Sequence, residues 1–200
     1  LCVGNNGESS TLNPVEHLDV IDFTVKHVNK RIPVIAGTGA NSTQEAIELT
    51  QESKKLGSDY ALLVTPYYNK PNQRGLIAHY EAVADSVDIP QILYNVPSRT
   101  ACDLLPSSVQ VLSEHKNIVG IKEALDSMDR IKELVKISSH AANNFSIYSG
   151  DDPTFMESLA LGAHGVISVA ANIVPKSISH ICSMVKSNNL NGAKELNFIN

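Results

Sequence analysis

The chain has 200 residues, 42% hydrophobic and 18% charged, with a net charge of −5. That composition suits a single sizeable globular core. It carries no Lys/Arg cluster of the kind that binds nucleic acid or an anionic membrane, and its longest apolar runs, such as Tyr60–Val64 and Gly165–Ala171, are far too short to cross a bilayer.

Taken in chain order, short apolar strands alternate with amphipathic helices. Strands are predicted at Leu1–Gly4, Ile32–Gly37, Tyr60–Thr65, Gln91–Asn95, Ile118–Glu123, Ser146–Ser149 and Gly165–Ala170. Helices are predicted between them, near Pro14–Val28, Thr43–Leu56, Gln73–Val87, Pro106–Glu114, Met128–Ile137 and Pro153–Leu161, with a last helix or pair over Lys176–Ile199. Asn13-Pro14 reads as an N-cap followed by proline at the first helical position, Leu105-Pro106 repeats that proline, and Ser42 precedes an acidic first turn. Strands rich in Val, Ile and Leu without polar alternation belong to a parallel sheet covered on both faces. A doubly wound sheet would satisfy this pattern. An eight-stranded (β/α)8 TIM barrel lacking its first βα unit suits it better, because such barrels run to ~250 residues. The chain opens at Leu1, without Met, inside an apolar run, and reads as a piece of something longer.

Cys2, Cys102 and Cys182 are odd in number, widely spaced and not at zinc spacing, so free thiols in a reducing, cytoplasmic compartment are expected. The polar groups that carry chemistry sit at strand ends: Asn5-Asn6, Thr38, Tyr67-Tyr68, Tyr94-Asn95, Lys122-Glu123 and Asp151-Asp152. In a parallel barrel these ends converge on one face, where barrel enzymes keep their sites. A lysine ending an apolar strand is either paired to a carboxylate such as Glu123 or held neutral as a nucleophile toward carbonyl carbon. Tyr94 is either a packed barrel tyrosine or a proton carrier. Arg99 is either a surface charge or a fork for a substrate carboxylate. Of Tyr67 and Tyr68, adjacent at a strand end, at most one should face the mouth. Asp151-Asp152 reads as capping, with no metal expected. The Gly37-Thr38-Gly39 loop lacks the third glycine of a dinucleotide fingerprint.

Seven stretches, GNNGESSTLNPVEH, IPVIAGTGAN, TPYYNKP, ILYNVPSRT, GIKEA, SGDD and GVISVAAN, occur in the order and spacing of the pyruvate-dependent class I aldolase family. The resemblance is to its dihydrodipicolinate synthase (4-hydroxy-tetrahydrodipicolinate synthase) branch, and runs from Gly4 to about Asn172. It implies a (β/α)8 barrel over residues 1–173, from strand two to strand eight. The last barrel helix and the start of a C-terminal helical segment would then fill 174–200. It implies a lyase of lysine and diaminopimelate biosynthesis that condenses pyruvate with aspartate semialdehyde. No cofactor is implied beyond a covalent Schiff base of pyruvate on Lys122, and a homotetramer is expected. By resemblance Lys122, Tyr94, Tyr68 and Asn5 are catalytic, while Asn6, Arg99, Gly150 and Ile167 bind substrate. Ser9, His17, Asn41, Glu45 and Tyr67 match a site for L-lysine as feedback inhibitor. Asn5-Asn6 departs from the family's Thr-Thr, and an amide does not readily relay a proton as a hydroxyl does. Schiff-base formation is therefore expected to survive better than turnover. Sister aldolases for sialic acid or keto-deoxy-sugar acids share Lys122 and Tyr94 but not, as a rule, the arginine at position 99. A non-catalytic pyruvate-binding relative stays open on account of Asn5-Asn6.

Overall fold

The computed structural model describes residues 1–4 and 7–199. Six parallel strands, β1 (Ile35–Gly37), β2 (Tyr60–Val64), β3 (Gln91–Asn95), β4 (Ile118–Glu123), β5 (Ser146–Ser149) and β6 (Gly165–Val166), pair in sequence order. Each is separated from the next by helical chain: α1 (Pro14–Val28) precedes β1, α2 (Thr43–Leu56) follows it, and α3 (Gln73–Ser86) follows β2. A short α4 (Pro97–Thr100) and α5 (Pro106–Leu112) lie between β3 and β4, and α6 (Met128–His140) and α7 (Phe155–Ala160) flank β5. The pair α8 (Pro175–Lys186) and α9 (Leu190–Ile199) closes the chain, parted near Asn188, whose φ of 61° no helix continues through.

Period-two alternation sorts the strand side chains into two layers. Leu63, Leu93, Ile121 and Ile147 are in register and fully buried between sheet and helices, each worth about 1.5–3 kcal/mol of burial. Leu62, Val64, Ile92 and Tyr94 face the other way and pack with Tyr148 and Ile167. Residues of the first and last strands, Ile35 and Val166, line one cavity, so the sheet is curled into a half-barrel with its inner layer around that space.

Helix starts follow the sequence signals. The Asn13 side chain accepts from Val15 and Glu16 N–H groups while Glu16 reaches back to Asn13 N–H, a complete capping box. The Ser42 and Asn72 side chains cap α2 and α3.

Three strand predictions are corrected. Leu1–Gly4 reduces to a single bridge between Cys2 and Ala36, because Val3 turns to a φ of 52° and leaves the extended region. The strand expected from Ile32 begins at Ile35: Pro33 has no N–H, and Val34 N–H donates to the Asp59 side chain at 2.7 Å instead of to a ladder. The strand expected to reach Ala170 stops at Val166. Val169 and Ala170 N–H groups donate to Asp152 Oδ2 at 3.0 and 2.9 Å, which bends the chain into a 3-10 turn at Ala170–Asn172. The helix predicted from Pro153 starts at Phe155, and α4 was not predicted.

Candidate active site

Strand pairing builds the site one layer at a time. Val64, Tyr94, Lys122 and Tyr148 are register partners on four adjacent strands, so their side chains leave the sheet on the same face near its C-terminal edge. A cavity of about 590 Å³ opens there, lined by Leu62, Tyr94, Lys122, Tyr148 and Ile167 among others. The strand register thus brings together groups 26 to 84 residues apart in the chain.

Lys122 is only 6% exposed, and its Nζ lies 4.1 Å from the centroid of the Tyr94 ring. Burial lowers its pKa to about 8, with the negative charge of Asp152 acting in the opposite direction. About a tenth is therefore the free amine at pH 7, several hundredfold more than for an ordinary lysine, and attack on a carbonyl requires that form. Its chain neighbour Glu123 does not pair with it. Glu123 points through the other face of β4, where it is 1% exposed and 3.6 Å from Arg130. Burial also pushes the Tyr94 phenol up, against the smaller opposing effect of the Arg99 charge.

Gly150 supports the lysine from behind. A Cβ there would lie 2.7 Å from Lys122 Cε and 2.9 Å from Ala124 Cβ, so only glycine leaves the lysine stem in place. Asp152 caps the 3-10 turn with Oδ2, while its buried Oδ1 has no partner among the described residues. Asp151 accepts from Thr154. The helix capping expected of this pair is not what they do: α7 starts after Thr154 with no side-chain capping bond, and Asp152 caps the more distant turn at Ala170–Asn172 instead. No cluster of metal-ligating side chains exists among the described residues.

A second cavity of about 330 Å³ lies beside the first and is lined by Ser9, His17, Glu45, Tyr67 and Arg99. The Asn41 amide donates to Tyr67 O at 3.3 Å, so the five residues matched to a lysine site are gathered in one place. His17 Nε2–H donates to Gly37 O at 2.8 Å, which ties α1 to the end of β1. Arg99, exposed on α4, faces this second space. Tyr67 is half-buried against it, whereas Tyr68 is 89% exposed with a φ of 73°, in line with the alternation of adjacent residues. Tyr68 therefore stands apart from Tyr94 and Lys122 within this chain. Asn5 and Asn6 lie outside the described residues.

Sequence reasoning missed Asp152 as the charge acting on Lys122, and Tyr148 as part of the inner layer. Tyr148 could have been found from alternation, being one residue from the outward-facing Ile147.

Comparison with known proteins adds an independent finding. The sequence model of the Dihydrodipicolinate synthetase family matches residues 1–198. A 4-hydroxy-tetrahydrodipicolinate synthase of Buchnera aphidicola subsp. Schizaphis graminum is 51% identical over 195 residues, covering 98% of this chain and 65% of the relative. One from Geobacter sp. is 54% identical over 193 residues, covering 96% of this chain and 66% of the relative. The crystal structure of a dihydrodipicolinate synthase from Acinetobacter baumannii complexed with pyruvate superposes with a TM-score of 0.92 at 52% identity, covering 98% of this chain and 66% of that one. A monomeric dihydrodipicolinate synthase variant gives a TM-score of 0.94 at 39% identity, over 98% of this chain and 65% of that one. The chain thus spans slightly less than two thirds of the curated relatives' length.

Proposed function

The chain belongs to the dihydrodipicolinate synthetase family, and from that premise we propose that it forms a Schiff base between Lys122 and pyruvate. The imine then condenses with L-aspartate 4-semialdehyde to give 4-hydroxy-tetrahydrodipicolinate. The observation that carries the reading is the buried, partly neutral Lys122 on the wall of the inner cavity.

The lysine amine adds to the ketone carbon, and water leaves to give the imine. The imine draws electrons from the pyruvate methyl group, a proton is lost there, and the resulting enamine attacks the aldehyde carbon. The semialdehyde's own amine then displaces Lys122 from the imine carbon, which closes the ring and frees the lysine. Tyr94, against Lys122, carries protons to and from these intermediates. Arg99 lines the second cavity, which shares Ser9, Gly39 and Val64 with the first, and from that boundary it receives the semialdehyde carboxylate, while Gly150 and Ile167 shape the pyruvate end. Asn6 donates to the pyruvate carboxylate, and Asn5 occupies the relay position that a hydroxyl serves in the family. Tyr68, so exposed here, reaches such a relay only across a contact between copies, which agrees with a homotetramer. The second cavity is the place for L-lysine as a feedback inhibitor.

On this reading residues 1–173 correspond to strands two to eight of a (β/α)8 barrel and 174–200 to the last barrel helix and the start of a C-terminal segment. Superposition of 98% of this chain on about two thirds of the length of two synthases supports a partial barrel. Three free thiols suit a reducing cytoplasm. Among the described residues no helix is long and apolar enough to cross a membrane.

Borohydride added to the chain with pyruvate, followed by intact mass and peptide mapping, tests the proposal. A single reduced adduct on Lys122 is expected. A folded chain that yields none overturns the reading.

A further inference from the structure

The outer face of β3 and β4, directly behind the lysine, carries a polar cluster that a hydrophobic layer has no need of. Asn95 is the register partner of Glu123, as Tyr94 is of Lys122. The Asn95 amide donates to both Glu123 oxygens at 3.1 Å and to Asp103 Oδ1 at 2.8 Å, and its own oxygen accepts from Leu104 N–H at 2.9 Å. Arg130, on α6, forks onto Asp103 at 2.8 and 3.1 Å, donates to Leu104 O at 3.1 Å and stands 3.6 Å from Glu123. Glu123 also accepts from Leu125 N–H at 3.0 Å. One side chain thus links the two strand ends that carry Tyr94 and Lys122, and the same cluster holds the chain just after Arg99.

Resting on the Schiff-base reading above, we propose that Glu123, Asn95, Asp103 and Arg130 form a positioning clamp: from the back of the sheet they set the placement of Tyr94 and Lys122 and anchor the Arg99 loop to them. A buried network of this kind is dispensable for packing, since apolar side chains of the same size would serve as well or better. Its value lies in fixing one geometry.

The charged groups facing Glu123 are Asp103 from the loop after α4 and Arg130 from α6, with Glu133 acting on Arg130. Two carboxylates share one guanidinium. Burial raises the Glu123 pKa to about 7, against the opposing bonds from Asn95 and Leu125 and the charge of Arg130, while the bonds from Arg130 and Asn95 outweigh burial at Asp103 and hold it low. All the groups bonded to Glu123 are donors, so the ionised form suits the clamp. A protonated carboxyl gives up an acceptor site and brings a proton with no acceptor beside it.

The test is Glu123→Gln in the full chain, with the rate of borohydride-trapped pyruvate adduct measured across pH against wild type. Glutamine keeps the size and, like the protonated acid, is neutral and donates. The variant should react about tenfold more slowly above pH 7. Its ratio to wild type should climb toward one as the pH falls below about 6, where wild type is protonated too. A merely structural role moves the unfolding midpoint but leaves the ratio independent of pH, and that result overturns the proposal. Should this variant not fold, Arg130→Lys retains the charge and loses the fork: a rate lowered about fivefold or more with unchanged circular dichroism supports the clamp, and an unchanged rate overturns it. No adduct in wild type overturns the functional reading and this inference with it. An adduct in wild type with an unmoved variant overturns this inference alone.

Discussion

At Lys122 stability and chemistry oppose one another. Its folded pKa of about 8 lies below the ordinary value of 10.5, so the folded state holds this proton less tightly than the unfolded state does. The penalty is fully present below about pH 8, where both states are charged, and disappears as the pH rises toward 10.5. Lys122→Met, which removes the charge and keeps an apolar stem, should therefore abolish the pyruvate adduct while stabilising the chain at pH 7 by about 2–3 kcal/mol. Urea unfolding at pH 7 and pH 10 checks it, since the gain should shrink at the higher pH. Gly150→Ala tests the same residue from behind. The added methyl must displace the Lys122 stem or Ala124, a strain of about 1–3 kcal/mol. Adduct formation should slow about tenfold or more, with a lowered unfolding midpoint.

Among the elements, the contact between α2 and α3 is built around a buried histidine. His79 on α3 bonds through Nδ1 to the Thr43 hydroxyl at the start of α2, at 2.9 Å, and its ring meets Tyr80 edge-on. Burial lowers its pKa to about 4 from 6.5. As pH falls from 6.5 toward 4 the unfolded chain takes up a proton that the folded chain refuses, so stability is lost over that window. The loss amounts to about 2–3 kcal/mol. His79→Leu should remove this part of the acid limb, flattening midpoint against pH between those values, even though the bond to Thr43 is forfeited. An unchanged slope would show that the α2–α3 contact does not exclude the proton.

At the scale of the whole molecule, the sheet is strongest in the middle. β3 and β4 are paired on both sides along four or five residues and β2 along three on one side and four on the other, whereas β1 is flanked on one side by the lone bridge at Cys2 and β6, among the described residues, pairs with β5 alone through two residues. Ile173, 87% exposed, and Val169 lie just beyond β6. Local opening follows such differences in buried contact. Amide hydrogen exchange should therefore be slowest in β2–β4 and faster by about 10²-fold or more in β1 and β6, and pyruvate, if bound at Lys122 of β4, should protect the β3–β4 amides most. Exchange uniform across the sheet would contradict this ordering.

Much of this was legible in the residues themselves. Val/Ile/Leu runs without alternation announced a parallel sheet, Asn13-Pro14 and Ser42 announced helix starts, and the motifs around Lys122, Tyr94 and Arg99 pointed to one family, because local propensity, capping and short-range spacing depend on near neighbours alone. The ends of β1 and β6, the helix at Pro97–Thr100, the lowered pKa of Lys122, the pairing of Glu123 with Asn95 and Arg130 rather than with its neighbouring lysine, and the separation of Tyr68 from Tyr94 were decided only by the tertiary structure. Each depends on burial and on partners brought close by strand register and curl, such as Asp152 capping Val169 and Ala170, and such distances cannot be read from spacing along the chain.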